Sequence, residues 1–477
     1  MAEEWKKRIQ QYRALWKKEP ELFKVAEELL GRYDLLPEGS EIMPVVTVYV
    51  TAPLLCEYVA WVVQEAVKSG KKRLYFLARD GYYLKKAAEI FCTEWNLDIE
   101  CRYLYCSRYA WRGAVYHMNI EEALDYITLG GLEAGFSKMM QRAGLTKEEA
   151  GQIAEELGYD VSSAKRLSVE ERGRLRRELS ECDVFLKLVQ KHSEEKYSNT
   201  MAYLSQEGLL DTVPYALVDS GWTGSLQKSL TKLLQSVGCE NTPEGYYFGM
   251  YKVPEEQEAG QYHTYYFAPT NHIRRKVYFN NNVFESIYSA PHGMTVGYEK
   301  QDEQGKNGLQ DVDAWLPILE QKDNPNKQRL LEAEPLLLEY VQLYANVYKS
   351  KFLSEKMEKQ CNVSQKRMER LMRLFMGRPT KGEAQEYGSF VFCDDVIGEE
   401  KQLLAGRLSW DELKNGFLLG KVRNRVRKSL CVGKESAWPE GSVALLDKRG
   451  AFWHCALCEY VRLTLETLRN RKQGKKK

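Results

Sequence analysis

Neither sign of charge dominates this chain, in which 69 lysines and arginines stand against 67 aspartates and glutamates for a formal net charge of +2. The sequence therefore lacks a global field that would favour nucleic acid, and no specific nucleic-acid partner is expected; attraction to anions has to be local. No internal repeat and no low-complexity block interrupts it. Its start shows no charged-then-apolar signal segment, so the eleven cysteines, scattered through apparent strands and helices, read as reduced thiols of a cytoplasmic protein. Charges or glycine break the longest apolar stretches before the roughly eighteen residues that a membrane span requires, which argues against integral insertion. Histidine is scarce, six in all, and His263 and His272 lack metal-ligand spacing. The CxxC of Cys455 and Cys458 has no second pair at zinc-ribbon distance. Its helical spacing with Val461 and Leu465 predicts buried thiols on a helix.

What is present is an α/β pattern. At 477 residues the chain exceeds what one hydrophobic core usually supports, so two domains, or one with a large helical insertion, are expected. Residues 1–45 alternate charged pairs with apolar residues and read as a helical lead-in. The α/β core is expected over 46–300. An apolar helix from Thr47 to Val67 is followed by the strand Arg73 to Ala78, a turn at Asp80-Gly81, and a helix with Tyr83, Leu84, Ala87, Ala88 and Phe91 on one face. A second strand covers Cys101 to Cys106. Residues 119–210, rich in Glu, Lys, Arg and Leu and carrying the capping box Thr146/Glu149, read as a helical insertion. The strand Tyr215 to Val218, a glycine-containing turn to Gly224 and a helix from Ser225 resume the pattern, and Gly245 to Tyr251 adds a strand. Residues 301–330 read as a polar linker around the apolar Trp315 to Leu319, and 331–477 as a helical, basic C-terminal region. The fold class expected is α/β, a doubly wound, mostly parallel Rossmann-like sheet with a helical insertion.

In such sheets ligands sit at the carboxyl ends of the strands, where backbone N–H groups of a helix N-terminus favour an anion. Asp80-Gly81 and the turn Asp219, Ser220, Gly221, Trp222, Thr223, Gly224, Ser225 both lie at that edge. Gly221 and Gly224 would admit a phosphate close to the backbone, Thr223 and Ser225 would offer hydroxyls, and Arg79 and Arg108 would offer bidentate guanidinium forks. Ser107 also follows a strand end. The plainer alternative makes Asp80 and Asp219 helix caps and the glycines turn formers. Two such turns in equivalent positions favour a shared ligand site, in which Asp80 and Asp219 could hold Mg²⁺ together with ligand phosphates. The basic cluster Lys421, Arg423, Arg425, Arg427 and Lys428 and the tail Arg469 to Lys477 could meet an anionic membrane surface or phosphorylated glycans, solvated surface being the plainer reading.

Phe76-Leu77-Ala78-Arg79-Asp80-Gly81, Leu104-Tyr105-Cys106-Ser107 and Val218-Asp219-Ser220 resemble, in order, the first, second and fourth motifs of the haloacid-dehalogenase-like (HAD-like) superfamily of phosphohydrolases. The departure is that Ala78 stands where that superfamily has its nucleophilic carboxylate, and a methyl group cannot form an aspartyl-phosphate. Residues 77–84, 104–108, 218–227 (ending in Gln227) and 284–298 resemble bacterial proteins labelled as predicted HAD-type hydrolases of surface-polysaccharide gene clusters. The resemblance implies glycan assembly as the setting. It suggests an enzyme on a phosphorylated sugar or nucleotide sugar, by hydrolysis or by glycosyl transfer to a glycan acceptor, with a non-catalytic phosphate-binding scaffold as the alternative. Glu285 and His292, in the last of these strings, could serve as general base and general acid for a sugar hydroxyl, although a His beside Pro291 and Gly293 more often bonds its own loop.

Overall fold

A computed structural model of the chain describes residues 2–32, 42–130, 134–163, 165–239, 242–254, 259–301, 314–350, 352, 355–392, 402–412, 436–446 and 449–473. Five parallel strands form the central sheet: β1 (Arg73–Leu77), β2 (Glu100–Leu104), β3 (Tyr215–Trp222), β4 (Glu244–Met250) and β5 (Tyr262–Phe267), in the spatial order β2-β1-β3-β4-β5. All five residues of β1 are buried, because helices cover both faces of the sheet. Alternate residues divide between the two sides. Leu74 and Phe76 join Ala216, Val218, Tyr246 and Phe248 under the helices Ala52–Lys68 and Gly81–Glu94, while Tyr75 and Leu77 join Leu217 and Leu104 on the other face, with Trp111 and Leu230. This is an α/β, doubly wound, Rossmann-like arrangement, and the strand order reverses between β1 and β3.

Several elements exceed the sequence reading. β3 continues through Asp219, Ser220, Gly221 and Trp222 instead of turning after Val218, because Asp219 pairs with Tyr247, Gly221 with Gly249 and Trp222 with Met250 of β4. The aromatic stretch Tyr262–Phe267 is the edge strand β5. Trp315–Leu319, expected as an apolar island in a linker, is strand β7, antiparallel to β6 (Thr295–Lys300).

The segment Ile42–Lys68 is apolar for longer than the sequence reading allowed. By length and composition it could cross a membrane, with a mean hydropathy of 1.6, but 94% of that window is buried inside the protein. It runs as Ile42–Val46, a π-helical turn Thr47–Thr51, and the helix Ala52–Lys68. Pro53 has no N–H to offer the carbonyl of Tyr49 four residues back, and the Trp16 indole donates to that carbonyl at 2.9 Å. A buried helix irregularity is thus satisfied by the N-terminal helix Ala2–Trp16.

Residues 120–206 supply five helices whose apolar faces close on a core of their own, containing Leu124, Met139, Ile153, Leu175 and Phe185. The described parts of the flanking helical regions instead share the core of the sheet: Trp5, Tyr12 and Trp16 from one end and Tyr340, Met372, Phe375 and Trp438 from the other belong to the same cluster as Leu74 and Phe76. Cys455 and Cys458 are buried on the helix Arg449–Gln473 beside Leu408, and they and six other described cysteines stand outside any disulfide. The cluster Lys421 to Lys428 lies outside the described residues.

Trp438 is fully buried and its indole donates to the Met376 carbonyl at 2.7 Å. Trp438→Ala should lower stability by about 3–5 kcal/mol. Because its core is that of the sheet, urea unfolding should show the loss in the same transition that tryptophan-independent probes of the sheet report; a separate transition carrying the whole effect would refute a shared core.

Candidate functional site

The pairing of β1 with β3 brings Asp80 and Asp219 to the carboxyl edge of the sheet at its switch point. Neither acts as a helix cap. Asp80 immediately precedes the helix Gly81–Glu94, yet its side chain makes no capping bond and accepts a short hydrogen bond from the Ser220 hydroxyl, 140 residues away in sequence. Asp219 is buried within β3. The hydroxyl of Tyr58 lies 2.8 Å from the Asp219 carbonyl and 2.9 Å from that of Tyr246, tying the middle of β3 and of β4 to the helix beneath them.

Glu285 enters from the helix Asn281–Tyr288, whose N-terminus is capped by Asn280 accepting from the Val283 N–H at 3.0 Å. The three carboxyls feel one another. Burial, then the charges of Asp80 and Glu285, push Asp219 well above the usual carboxylate range, although the Ser220 and Gly221 N–H groups oppose this. Burial raises Asp80 against the pull of the Ser220 hydroxyl, Arg79 and Arg108. Glu285 is raised to about 7, first by burial and then by Asp80, with Arg108 and Arg79 opposing. The Trp222 indole N–H also favours the Glu285 carboxylate, but it closes no hydrogen bond of good geometry. Arg79 and Arg108 therefore act on the acids through space. A carboxyl poised near neutrality, as Glu285 is, among other buried acids at a strand edge is what acid–base chemistry requires.

Phosphate access does not by itself explain the glycines. A Cβ on Gly221, at φ +110°, would stand 2.5 Å from the Gly249 carbonyl oxygen, and one on Gly224, at φ +63°, would stand 2.5 Å from the Tyr262 ring. Gly81 is equally confined, since a Cβ there would meet the Phe76 backbone at 2.7 Å. Close packing is sufficient reason for all three. The half-buried Thr223 and Ser225 follow β3, Ser225 opening the helix Ser225–Gln235.

Three expected ligand or catalytic groups are spent on the protein. Gln227 is fully buried, its amide donating to the carbonyls of Pro243 and Gln261 at 2.7 and 3.2 Å and accepting from the Tyr247 hydroxyl at 2.5 Å, so it has no atom left for a ligand. Ser107 caps the helix Arg108–Ala114 by accepting from the Ala110 N–H at 2.9 Å, and its hydroxyl donates to the Thr295 carbonyl at 2.6 Å. His292 donates from Nδ1 to the Gly293 carbonyl at 2.7 Å, which leaves Nε2 to accept the Tyr103 hydroxyl at 2.8 Å. Burial, then Arg79, holds its pKa below the ordinary value. A general acid would need the proton on Nε2, so the loop-bonding alternative describes His292. Two residues that sequence reasoning missed, Tyr58 and Tyr103, hold the site from below and beside. Tyr103 sits in the aromatic alternation of β2; nothing in the sequence around Tyr58 signals its role.

Glu285→Gln tests the coupling of the acids. Because the folded pKa, about 7, exceeds the ordinary value of 4.5, the folded state holds this proton more tightly. Stability owed to Glu285 is then fully present below pH 4.5 and is lost as pH rises through 7. The Gln variant should gain on the wild type across that window, by up to about 3 kcal/mol, in urea midpoints measured at each pH. A difference that does not change with pH would show that Glu285 titrates as an ordinary surface acid.

Set against models of protein families and against curated proteins, the chain matches none, and its functional reading stands on the geometry above.

Proposed function

We propose that this protein is an enzyme acting on a phosphorylated sugar or nucleotide sugar in bacterial surface-polysaccharide assembly, with a HAD-like arrangement of motifs. The observation that carries the reading is the trio Asp80, Asp219 and Glu285 at the switch point, raised in pKa and faced by Arg79 and Arg108. Arg79 and Arg108 close no ion pair among the described residues, which leaves their guanidinium groups available for phosphate oxygens. Glu285, poised near neutrality, would take the proton from an attacking hydroxyl, either water or a sugar acceptor. Ser220 orients Asp80.

Ala78 supplies no nucleophile, so the reaction would be direct displacement: glycosyl transfer from a nucleotide-diphosphate sugar, or hydrolysis without a covalent enzyme intermediate. Among the described residues no three His, Cys, Asp or Glu side chains form a closed metal site. Asp80 and Asp219 nevertheless suit a cation such as Mg²⁺ that keeps waters and ligand phosphate oxygens as its other partners. When bound, it would neutralise phosphate charge; the two carboxylates would hold it. A second reading, a phosphate-binding scaffold without turnover, draws on the same arginines and on the absent nucleophile.

Thermal-shift screening against sugar phosphates and nucleotide sugars, each with and without Mg²⁺, should find a donor that raises the melting temperature, and Asp219→Asn should abolish its Mg²⁺-dependent part. With that donor and a glycan acceptor or water, Glu285→Gln should cut turnover by about 100-fold or more while the thermal shift persists. Binding without turnover in the wild type would favour the scaffold. No shift with any phosphate ligand would remove the reading altogether.

A further inference from the structure

A pocket of about 340 Å³ opens between the helical insertion and the core of the sheet, and neither the acids of the switch point nor Arg79 lines it. Its volume falls within the roughly 300–1,000 Å³ of small-molecule sites. Arg112 enters it from the helix Arg108–Ala114, Ala123 and Tyr126 from Ile120–Ile127, and Lys228 and Lys232 from Ser225–Gln235.

The lining divides by chemistry. Val115, Tyr116, Ala123 and Tyr126 make an apolar wall, in which Tyr116 and Ala123 are buried. Lys228 and Lys232 stand one turn apart on the same face of their helix, where like charges repel. Both reach one carboxylate, Glu122: Lys228 at 3.2 Å, and Lys232 by a short contact to its other oxygen. The lysine side chains are 22% and 28% exposed, so they do not belong to a freely solvated face. Against the effect of its partial burial, Lys232 and Lys228 hold Glu122 below the ordinary carboxylate range. Arg112 spreads its guanidinium over the Tyr126 ring, 4.2 Å from the ring centre. Asp125, also in the lining, is bound by Arg176 at 2.6 Å from outside the pocket. The described lining thus carries three cations and two carboxylates, one of them engaged elsewhere, and its net charge is positive.

We propose that this pocket is a second ligand site, and that its ligand is a phosphomonoester with an aromatic body. The ring system lies against Val115, Tyr116 and Tyr126, and the phosphate replaces Glu122 as the partner of Lys228 and Lys232, with Arg112 adding a third cation. Both halves of the ligand are needed. An inorganic anion would leave the apolar wall wet, and an uncharged aromatic would leave two lysines sharing one carboxylate. The inference does not rest on the chemistry of Asp80 and Asp219. Because the pocket is walled by helices that begin at Arg108 and Ser225, a ligand in it would brace the insertion against the helix that follows β3.

Isothermal titration calorimetry of the full chain without Mg²⁺ should find naphthyl phosphate bound at least about tenfold more tightly than naphthol, inorganic phosphate or hexyl phosphate. Lys232→Gln should weaken that binding about tenfold. Glu122→Gln, which releases both lysines, should strengthen it about threefold or more, a gain that a purely structural ion pair would not produce. Arg79→Gln, at the switch point, should leave it unchanged. Either pocket variant carries the test if the other does not fold. Equal affinity for the ester and for any of the three comparison compounds overturns the proposal, as does no binding of the ester at roughly 10 mM. So does binding that Arg79→Gln abolishes and Lys232→Gln spares, or an affinity that Glu122→Gln fails to raise.

Discussion

The parallel pairing of β1 with β3 is the constraint on which the rest of the molecule depends. It joins segments separated by the whole helical insertion, aligning Arg73 with Tyr215 through Phe76 with Val218, and the residues just beyond that ladder are the ones that carry charge. Parallel strands cannot be joined by a tight turn, so the connection must cross a face of the sheet, and here β2 and the insertion make that crossing. The acids at the edge then meet as a consequence of register. A slip of one residue would turn the alternate residues of β3 to the opposite faces and remove the Ser220–Asp80 bond with them.

Electrostatics at this edge runs against stability. Asp219 is buried beside two other carboxyls, and Arg79 and Arg108 favour the charged forms of Asp80 and Glu285. A structure optimised for stability alone would replace one of these acids with an amide of nearly the same shape. The penalty is tolerated because both faces of the sheet are thickly covered: the core that includes Leu74 and Phe76 extends from Trp5 to Trp438. Large, distributed burial lets a small site remain strained, since the apolar terms are spread over many residues and the unfavourable charges over three.

Two faces of the chain thus carry unspent physical potential. At the switch point it is a cluster of buried carboxyls, at the helix Arg449–Gln473 a run of exposed apolar side chains. The two are of different kinds, and each is held in place by a well-packed opposite side. For the acids that side is Tyr58 and the β3–β4 ladder; for the helix it is Cys455, Cys458 and the ion pair of Lys276 with Glu466.

The amino-acid sequence by itself determined the class of fold, because period-two and period-3.6 apolar patterns are local and each was legible where one element met water or another layer. It also marked Asp80 and Asp219, which follow apolar strand runs at turns into helices, whereas Glu285 stands out only through the resemblance of residues 284–298 to HAD-type proteins. It did not reveal that β3 runs on to Trp222, which depends on Gly221 pairing with Gly249 across the ladder, where a Cβ would clash with the Gly249 carbonyl. Nor did it show that Gln227 and Ser107 are consumed by Pro243, Gln261, Tyr247 and Thr295, partners remote or unmarked in the chain. Hydrogen bonds of that sort carry no periodic signature. Whether a polar side chain is free for a ligand or already satisfied was decided by tertiary structure alone, because the answer depends on which groups long-range packing places within about 3 Å of it.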